Sequence, residues 1–346
     1  MKWITYSGRL SMRRPIDEFV AAWGALSGSR GEEGGWLGIA VASAGKCELM
    51  AARRCPGNEE SLLARFPTAR LGSSERLPEG RGFEIVRADP RGDGKTWIAL
   101  SRKESGSSEL FAEMVSDVAG AMDVSAVEGE DAVLRTMLRR VRMWQQFMSR
   151  GPAPLSPEAE LGLMGELVFM VALMDSGVAT EEVLRGWVGP DDALQDYLLG
   201  DGAFEVKATM SSSGFPVKIA SLEQLDDSIA SPLFLAAIRF SSDDGLTLPE
   251  MVADATQRLD GEPGAINFLR DRLMIAGYSE IHSTHYTRRF ELKEMRIFVV
   301  SEGFPRLTTG NTPIGVTRAL YEINLDHAGD FLSDFDAALK LLGVTG

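Results

Sequence analysis

The 346-residue chain is poor in the side chains that most often ligate transition metals: two cysteines, Cys47 and Cys55, and three histidines, His282, His285 and His327. Two thiols make neither a zinc site nor a disulfide framework, and they suit a reducing compartment. No stretch reaches the ~20 apolar residues needed to span a bilayer. The start, Met-Lys-Trp-Ile-Thr-Tyr, is not followed by the apolar run of a secretory leader. The expectation is therefore a cytoplasmic protein with no membrane partner. No Gly-rich loop ending in Lys-Ser or Lys-Thr is present, so ATP hydrolysis is not expected, and no internal repeat is evident. Basic residues are in deficit, 36 Lys and Arg against 50 Asp and Glu, for a net charge of −14. That balance opposes nonspecific DNA binding, which draws on Lys and Arg at phosphates. A chain that nevertheless handled DNA would need metal ions and a local basic patch, or a partner subunit that brings the affinity.

What is present is ordinary in bulk and informative in one place. Hydrophobic content of 44% and charged content of 25% describe a globular protein, and the length suggests two or three domains with ample core. The informative stretch is Asp196 to Lys207, Asp-Tyr-Leu-Leu-Gly-Asp-Gly-Ala-Phe-Glu-Val-Lys. Apolar runs flank a tight Gly-Asp-Gly, which signals a β-hairpin. With Gly200-Asp201 as the loop, Leu199 pairs with Gly202 and Asp196 falls opposite Glu205. With Asp201-Gly202 as the loop, Asp196 falls opposite Lys207. Either register puts Asp196, Glu205 and Lys207 on one face; a three-residue loop would not, unless a bulge restored it. Phe204 and Val206 alternate with the charged pair and predict a core on the other face. A charged face of this kind usually meets solvent. Two neighbouring carboxylates resist joint ionisation, and Mg²⁺ (or Mn²⁺) relieves them using one or two carboxylates, waters and a phosphate oxygen. A lysine beside them can orient a water and offset charge developing on phosphate.

At Asp196 and Glu205-Val206-Lys207 the chain resembles the PD-(D/E)XK nuclease superfamily. Leu161-Gly162-Leu163-Met164-Gly165-Glu166-Leu167 resembles its first core helix, whose glutamate often joins the metal site. Ser221-Leu222-Glu223-Gln224-Leu225 resembles the helix after the catalytic strands, where some members carry a glutamine. Trp187-Val188-Gly189-Pro190 and Gly303-Phe304-Pro305-Arg306 look like an uncharacterised family of PD-(D/E)XK-motif proteins found in bacterial restriction and phage-defence gene neighbourhoods. The proline that precedes the aspartate in the superfamily is Gln195 here. The resemblance covers roughly Leu110 to Leu325. It implies a restriction-endonuclease-like α/β fold, a mixed sheet flanked by helices, and a Mg²⁺-dependent DNA endonuclease working with other defence-system subunits. It assigns Asp196, Glu205 and Glu166 to the metal, Lys207 to the attacking water and Gln224 to an assisting role. Two rivals stand beside it: a non-catalytic binding or scaffold subunit on the same fold, and an acidic DNA-mimic inhibitor.

The remaining pattern predicts a β-rich N-terminal domain over residues 1–125 and a nuclease-like domain over 126–346 with a C-terminal β extension. Trp36–Val41 with Lys46–Met50, and Gly82–Ala88 with Lys95–Ser101, read as hairpins; the Arg-Gly-Asp at 91–93 is simply turn sequence. Glu109–Met122, Asp131–Arg150, Glu158–Met174, Pro249–Leu259 and Ala265–Ala276 carry helical spacing, the third opening on Ser156-Pro157 as cap and first residue. Gly162 and Gly165 would let that helix approach a sheet closely, and Glu166 would either reach the metal or serve as a cap. Val217–Ala220, Leu233–Phe240, Arg288–Leu292, Met295–Val300 and Val316–Leu325 read as strands, and Ser221 to about Ser228 as a short helix. His282 and His285 lie in a stretch that reads as extended, which favours a surface or hydrogen-bonding role. Arg135, Arg139 and Arg142 share one helix face, either solvated or phosphate-contacting. Together with Arg288, Arg289, Lys293, Arg296 and Arg306 they form the candidate DNA surface.

Overall fold

The computed structural model describes residues 14–28, 35–72, 74–149, 153–191, 193–259 and 262–344. The chain divides into two compact units, residues 1–152 and 153–346.

Among the described residues, the first unit is an antiparallel sheet with three α-helices. Helix α1 (Ile16–Leu26) precedes β1 (Trp36–Ala44), β2 (Cys47–Arg54), β3 (Glu59–Phe66), β4 (Phe83–Ala88) and β5 (Thr96–Arg102), followed by α2 (Ser108–Ser125) and α3 (Glu130–Ser149). The strand order is β1-β2-β3-β5-β4, every pair antiparallel. Both expected hairpins form. The strand between them, β3, is buried from Ser61 to Ala64, so it lacks the alternation that marks a half-buried strand. The unit extends past the expected boundary at 125/126 because α3 packs on α2. Arg140 of α3 is buried with both its Nε and Nη2 donating to Asp117 of α2, and Trp144 donates to the same carboxylate. Cys47 and Cys55 are free and buried.

The second unit is mixed α/β. It runs α4 (Pro157–Asp175), α5 (Thr180–Gly186), β6 (Tyr197–Leu199), β7 (Gly202–Thr209), β8 (Pro216–Ile219), β9 (Leu233–Leu246), α6 (Leu248–Gln257), α7 (Pro263–Ile275), β10 (Phe290–Val300), β11 (Tyr321–Asn324), β12 (Leu332–Ser333) and α8 (Phe335–Leu342). The main sheet has the order β12-β10-β9-β7-β6, with β7 and β9 parallel and the other pairs antiparallel. A separate ribbon pairs β8 with β11. One face of the sheet meets α4: Phe204, Val206, Phe234, Ala236 and Ile238 share a core with Leu163, Leu167 and Met170. Phe204 stacks on Phe234 and contacts Phe169, with centroids 5.2 and 4.8 Å apart. The other face meets the ribbon: Ala203, Leu235, Ala237 and Phe298 pack with Phe215, Val217, Ile219 and Ile323.

Five local expectations change, the first being that the strand expected over Val316–Leu325 is confined to Tyr321–Asn324. Residues 221–228 form turns, not a helix, because polar side chains there capture backbone N–H groups: Gln224 accepts from Ala220, Ser221 from Glu223 and Asp226 from Ser228. The histidine stretch is a short 3-10 helix, Glu280–His285, entered after Gly277 turns the chain at φ +93°. The two strands expected over 288–300 are one strand, β10, whose polar middle is absorbed by a register shift between Leu292 and Glu294. That strand lies between β9 and β12, so β10 and β12 belong to the main sheet, whereas β11 lies in the ribbon with β8.

Candidate active site

The hairpin between β6 and β7 takes the first of the two registers. Leu199 faces Gly202 and Tyr197 faces Phe204, so one further step sets Asp196 against Glu205. Gly200 opens the turn at φ +52°, the conformation that glycine supplies at the first position of a type II′ turn.

Burial of the charged face departs from expectation. Glu205 is 1% exposed and Lys207 17%. β7 is an inner strand, and the face that carries Glu205 and Lys207 lies beside Leu235 and Ala237 of β9, under the β8–β11 ribbon. Cover comes from residues distant in sequence, and that hides it from local pattern.

Each ionisable group is held. One oxygen of Asp196 accepts from the Val206 N–H at 2.7 Å. The Lys207 ammonium donates to Oε1 of Glu205, while Oε2 of Glu205 is buried with no hydrogen-bond partner. From α4, Glu166 brings Oε2 to the Trp187 indole N–H at 2.7 Å, and its backbone carbonyl accepts from the Tyr197 hydroxyl at 2.8 Å. Gly165 makes this close approach possible: a Cβ there would lie 2.9 Å from Cβ of Ala208. Gly162 faces open space.

The loop after α5 closes the site from the side. The N–H groups of Val188 and Gly189 both donate to the Asp196 carbonyl, at 2.9 and 3.0 Å. A Cβ on Gly189 would stand 2.9 Å from Oδ1 of Asp196 and 3.2 Å from Oε2 of Glu166. Those oxygens of Asp196 and Glu166 therefore border one small space, kept open by the missing side chain. Arg272 of α7 fastens the loop, donating to the Trp187 carbonyl and to Asp191. In the sequence, Trp187 and Gly189 stand out only through a family resemblance, and Tyr197 and Arg272 do not stand out at all. A lone arginine on a helix carries no local signal of such a task.

Electrostatics follow from burial. Desolvation, and then the Asp196 charge, push the Glu205 carboxyl up to about 8 against the pull of Lys207. Desolvation and Asp196 likewise push Glu166 up to about 8, opposed by the Trp187 bond. Burial raises Asp196 as well, with Lys207 and the Val206 N–H opposing. For Lys207, burial works against the ammonium, but Glu205 and Asp196 outweigh it and hold its pKa above the ordinary value. Burial, then Glu166 and Asp196, keep the Tyr197 phenol protonated as a donor. Three carboxyls therefore share one ammonium, with Glu205 buried and Asp196, Glu166 and Lys207 half-buried. The cluster is short of positive charge and takes up protons to make good the difference.

A divalent cation fits that deficit. Oε2 of Glu205 is without a partner, Oδ1 of Asp196 borders the space beside Gly189, and hard oxygen donors of this kind suit Mg²⁺ or Mn²⁺. Among the described residues no three His, Cys, Asp or Glu side chains converge as a complete ligand set. Mg²⁺ does not need one, since it keeps several waters and takes one or two carboxylates.

The other expected residues have partners of their own. The side-chain oxygen of Gln224 is committed to the Ala220 N–H at 2.8 Å, in the loop that Gln195 tethers through the Glu223 carbonyl at 3.2 Å. The second basic cluster is spent on ion pairs: Arg288 with Glu160, Arg289 with Glu250, Lys293 with Glu291, Arg296 with Glu294 and Asp326, and Arg306 with Asp227. His282 is buried and edge-on to His285, with centroids 5.9 Å apart.

No curated protein matches the chain, and no solved structure does. Residues 19–326 match a protein family described as "Putative PD-(D/E)XK family member, (DUF4420)". That match spans both units, and the mixed sheet flanked by helices agrees with the restriction-endonuclease-like α/β fold of the superfamily. The chain belongs to this PD-(D/E)XK family.

Proposed function

We propose that the protein is a divalent-cation-dependent DNA endonuclease that hydrolyses phosphodiester bonds at the β6–β7 hairpin. One observation carries the reading: the β6–β7 register sets Asp196 opposite Glu205 and beside Lys207 in a partly buried, charge-deficient cluster, with one carboxylate oxygen of Glu205 left without a partner. Family membership agrees with it.

Asp196 and Glu205 would hold Mg²⁺ or Mn²⁺, with Glu166 completing the set directly or through a water. When bound, the cation supplies Lewis-acid polarisation of the phosphate and lowers the pKa of a water. The chain's own groups do the rest. The Val206 N–H fixes one Asp196 oxygen and so aims the other. Lys207, held by Glu205, would offer its remaining N–H donors to the attacking water or a phosphate oxygen. The Trp187 indole keeps Glu166 turned toward Asp196. The ribbon excludes water from Glu205 and strengthens each of these interactions.

The setting we propose is bacterial restriction or phage defence, with other subunits supplying recognition. Its support is the resemblance to proteins of such gene neighbourhoods. A non-catalytic subunit on the same fold is the second reading, and the Lys207–Glu205 pair favours it, since a lysine already neutralises that carboxylate. Supercoiled plasmid incubated with Mg²⁺ or Mn²⁺ separates the two. Nicked or linear product from wild type, reduced by about 100-fold or more in Lys207→Ala, supports the nuclease. Equal products from both proteins, or none from either with plasmid and phage DNA, would sink it.

A further inference from the structure

The net charge of −14 is unevenly shared. Residues 1–152 hold 22 Lys and Arg against 20 Asp and Glu, whereas residues 153–346 hold 14 against 30. The unit with the proposed catalytic cluster thus stands at −16 and the other at +2. A −16 body repels a duplex, every member of its expected basic patch has a carboxylate partner, and for Arg288, Arg296 and Arg306 the pair is partly buried.

The first unit has what the second lacks. Helix α3 buries Val133, Leu134, Met137, Val141, Trp144 and Phe147, which turns the ridge of Arg135, Arg139 and Arg142 outward. All three are exposed. Among the described residues, Arg135 and Arg139 have no carboxylate at ion-pairing distance. Arg142 meets Glu75 at 2.6 Å, with both side chains 40% or more exposed, the kind of surface pair that exchanges readily for another anion. Arg140, off the ridge, is the one consumed in the core by Asp117. From Arg135 to Arg142 the ridge runs about 10 Å at 1.5 Å per residue. Duplex DNA presents one charge per about 1.7 Å of its axis, so several phosphates fall within that length.

We infer that the first unit supplies the grip on duplex DNA, with Arg135, Arg139 and Arg142 of α3 contacting the sugar-phosphate backbone without reading sequence. The inference rests on the nuclease reading for its choice of polyanion, and it answers how an acidic nuclease holds its substrate.

The test uses the full chain, a fluorescein-labelled DNA duplex and anisotropy in EDTA, so that binding is read without cleavage. Wild type is expected to bind with a strong salt dependence between about 50 and 200 mM NaCl. The double variant Arg135→Glu/Arg139→Glu should bind at least about tenfold more weakly at the lower salt, and its log–log salt slope should fall by about two, near 0.9 for each phosphate that is no longer neutralised. Arg135→Lys/Arg139→Lys should keep the slope, because charge and not fork geometry is required. If charge reversal disturbs folding by circular dichroism, Arg135→Gln/Arg139→Gln replaces it with the same expected slope change. Wild-type affinity and slope in a folded Glu or Gln variant would overturn the inference, as would no duplex binding by wild type. Plasmid cleavage by the same proteins keeps the two ideas apart. A ridge-dependent binder that never cuts refutes the nuclease and leaves the grip standing. A cutter indifferent to the ridge does the reverse.

Discussion

Glu205 is a buried carboxyl with one oxygen on an ammonium and the other on nothing. Its folded pKa of about 8 exceeds the unfolded 4.5, and Glu166 is raised to about 8 as well. The folded state then binds these protons more tightly than the unfolded chain does. Their contribution to stability is fully present below about pH 4.5 and is lost as pH rises through about 8. Melting temperature in EDTA should therefore fall between about pH 5 and pH 9, and Glu205→Gln, a permanent mimic of the protonated form, should flatten the decline. An unchanged slope in that variant would mean Glu205 is already ionised throughout. Gly189 gives a second residue-scale outcome. In Gly189→Ala the new methyl meets Oδ1 of Asp196 at 2.9 Å, and Asp196 cannot yield without straining its bond to Val206. Cleavage should drop by about tenfold or more, because misplacing reacting groups by about 1 Å can cost 100-fold. Stability should change by less than about 3 kcal/mol, as chemical denaturation can check. That Asp196, Glu205 and Lys207 share a face was legible from a period of two and a two-residue turn. That the face is buried was not, because Glu-x-Lys alternating with Phe204 and Val206 is also how a solvent-facing strand reads.

At the scale of elements, legibility followed how local the determinants were. The hairpins β1–β2 and β4–β5 and the helices α2 to α4 rest on turn residues, caps and apolar stripes within one segment. Ser156 accepts from the Ala159 N–H, as a cap should. Residues 221–228 failed for a physical reason that is also local. Their Ser, Gln and Asp side chains offer the backbone better partners than a helix would, and one Ser read as a cap conceals that competition. α8 is the exception, unread although Asp334 caps its start, Gly343 ends it in the left-handed region and Ala338, Leu339 and Leu342 form its buried stripe. Its Leu342 carbonyl accepts from the Asp201 N–H at 3.1 Å, beside Gly200 of the β6–β7 turn. A Cβ on Gly200 would fall 1.8 Å from that carbonyl oxygen, and a residue with a side chain at φ +52° costs about 1–2 kcal/mol before any clash. Gly200→Ala should therefore destabilise the second unit by more than the turn strain alone, about 2–4 kcal/mol with the overlap included, and should expose α8 to early hydrogen exchange. A loss below about 1 kcal/mol would show that the turn and α8 part without cost.

At the scale of the molecule, the second unit combines a −16 charge with a cluster of carboxyls that want a cation, and the two effects separate in solution. Self-repulsion of exposed charge is screened over about 8–10 Å at physiological salt, so NaCl in EDTA should raise the melting temperature of this unit gradually and without saturating at any stoichiometry. Occupation of the buried cluster behaves differently. A ligand bound only by the folded state stabilises it by RT ln(1 + [L]/Kd), about 2.7 kcal/mol at 100 Kd. That should appear as a saturable rise with Mg²⁺ or Mn²⁺ beyond what NaCl of equal ionic strength produces. Asp196→Asn and Glu205→Gln remove carboxylate charge from the proposed cation site and should abolish the divalent increment while leaving the NaCl response in place. The increment should also grow as pH rises toward 8, since the cation displaces protons from carboxyls held near that value. If Asp196→Asn keeps the full divalent increment, the ion binds elsewhere on the acidic surface, and the hairpin is then no metal site.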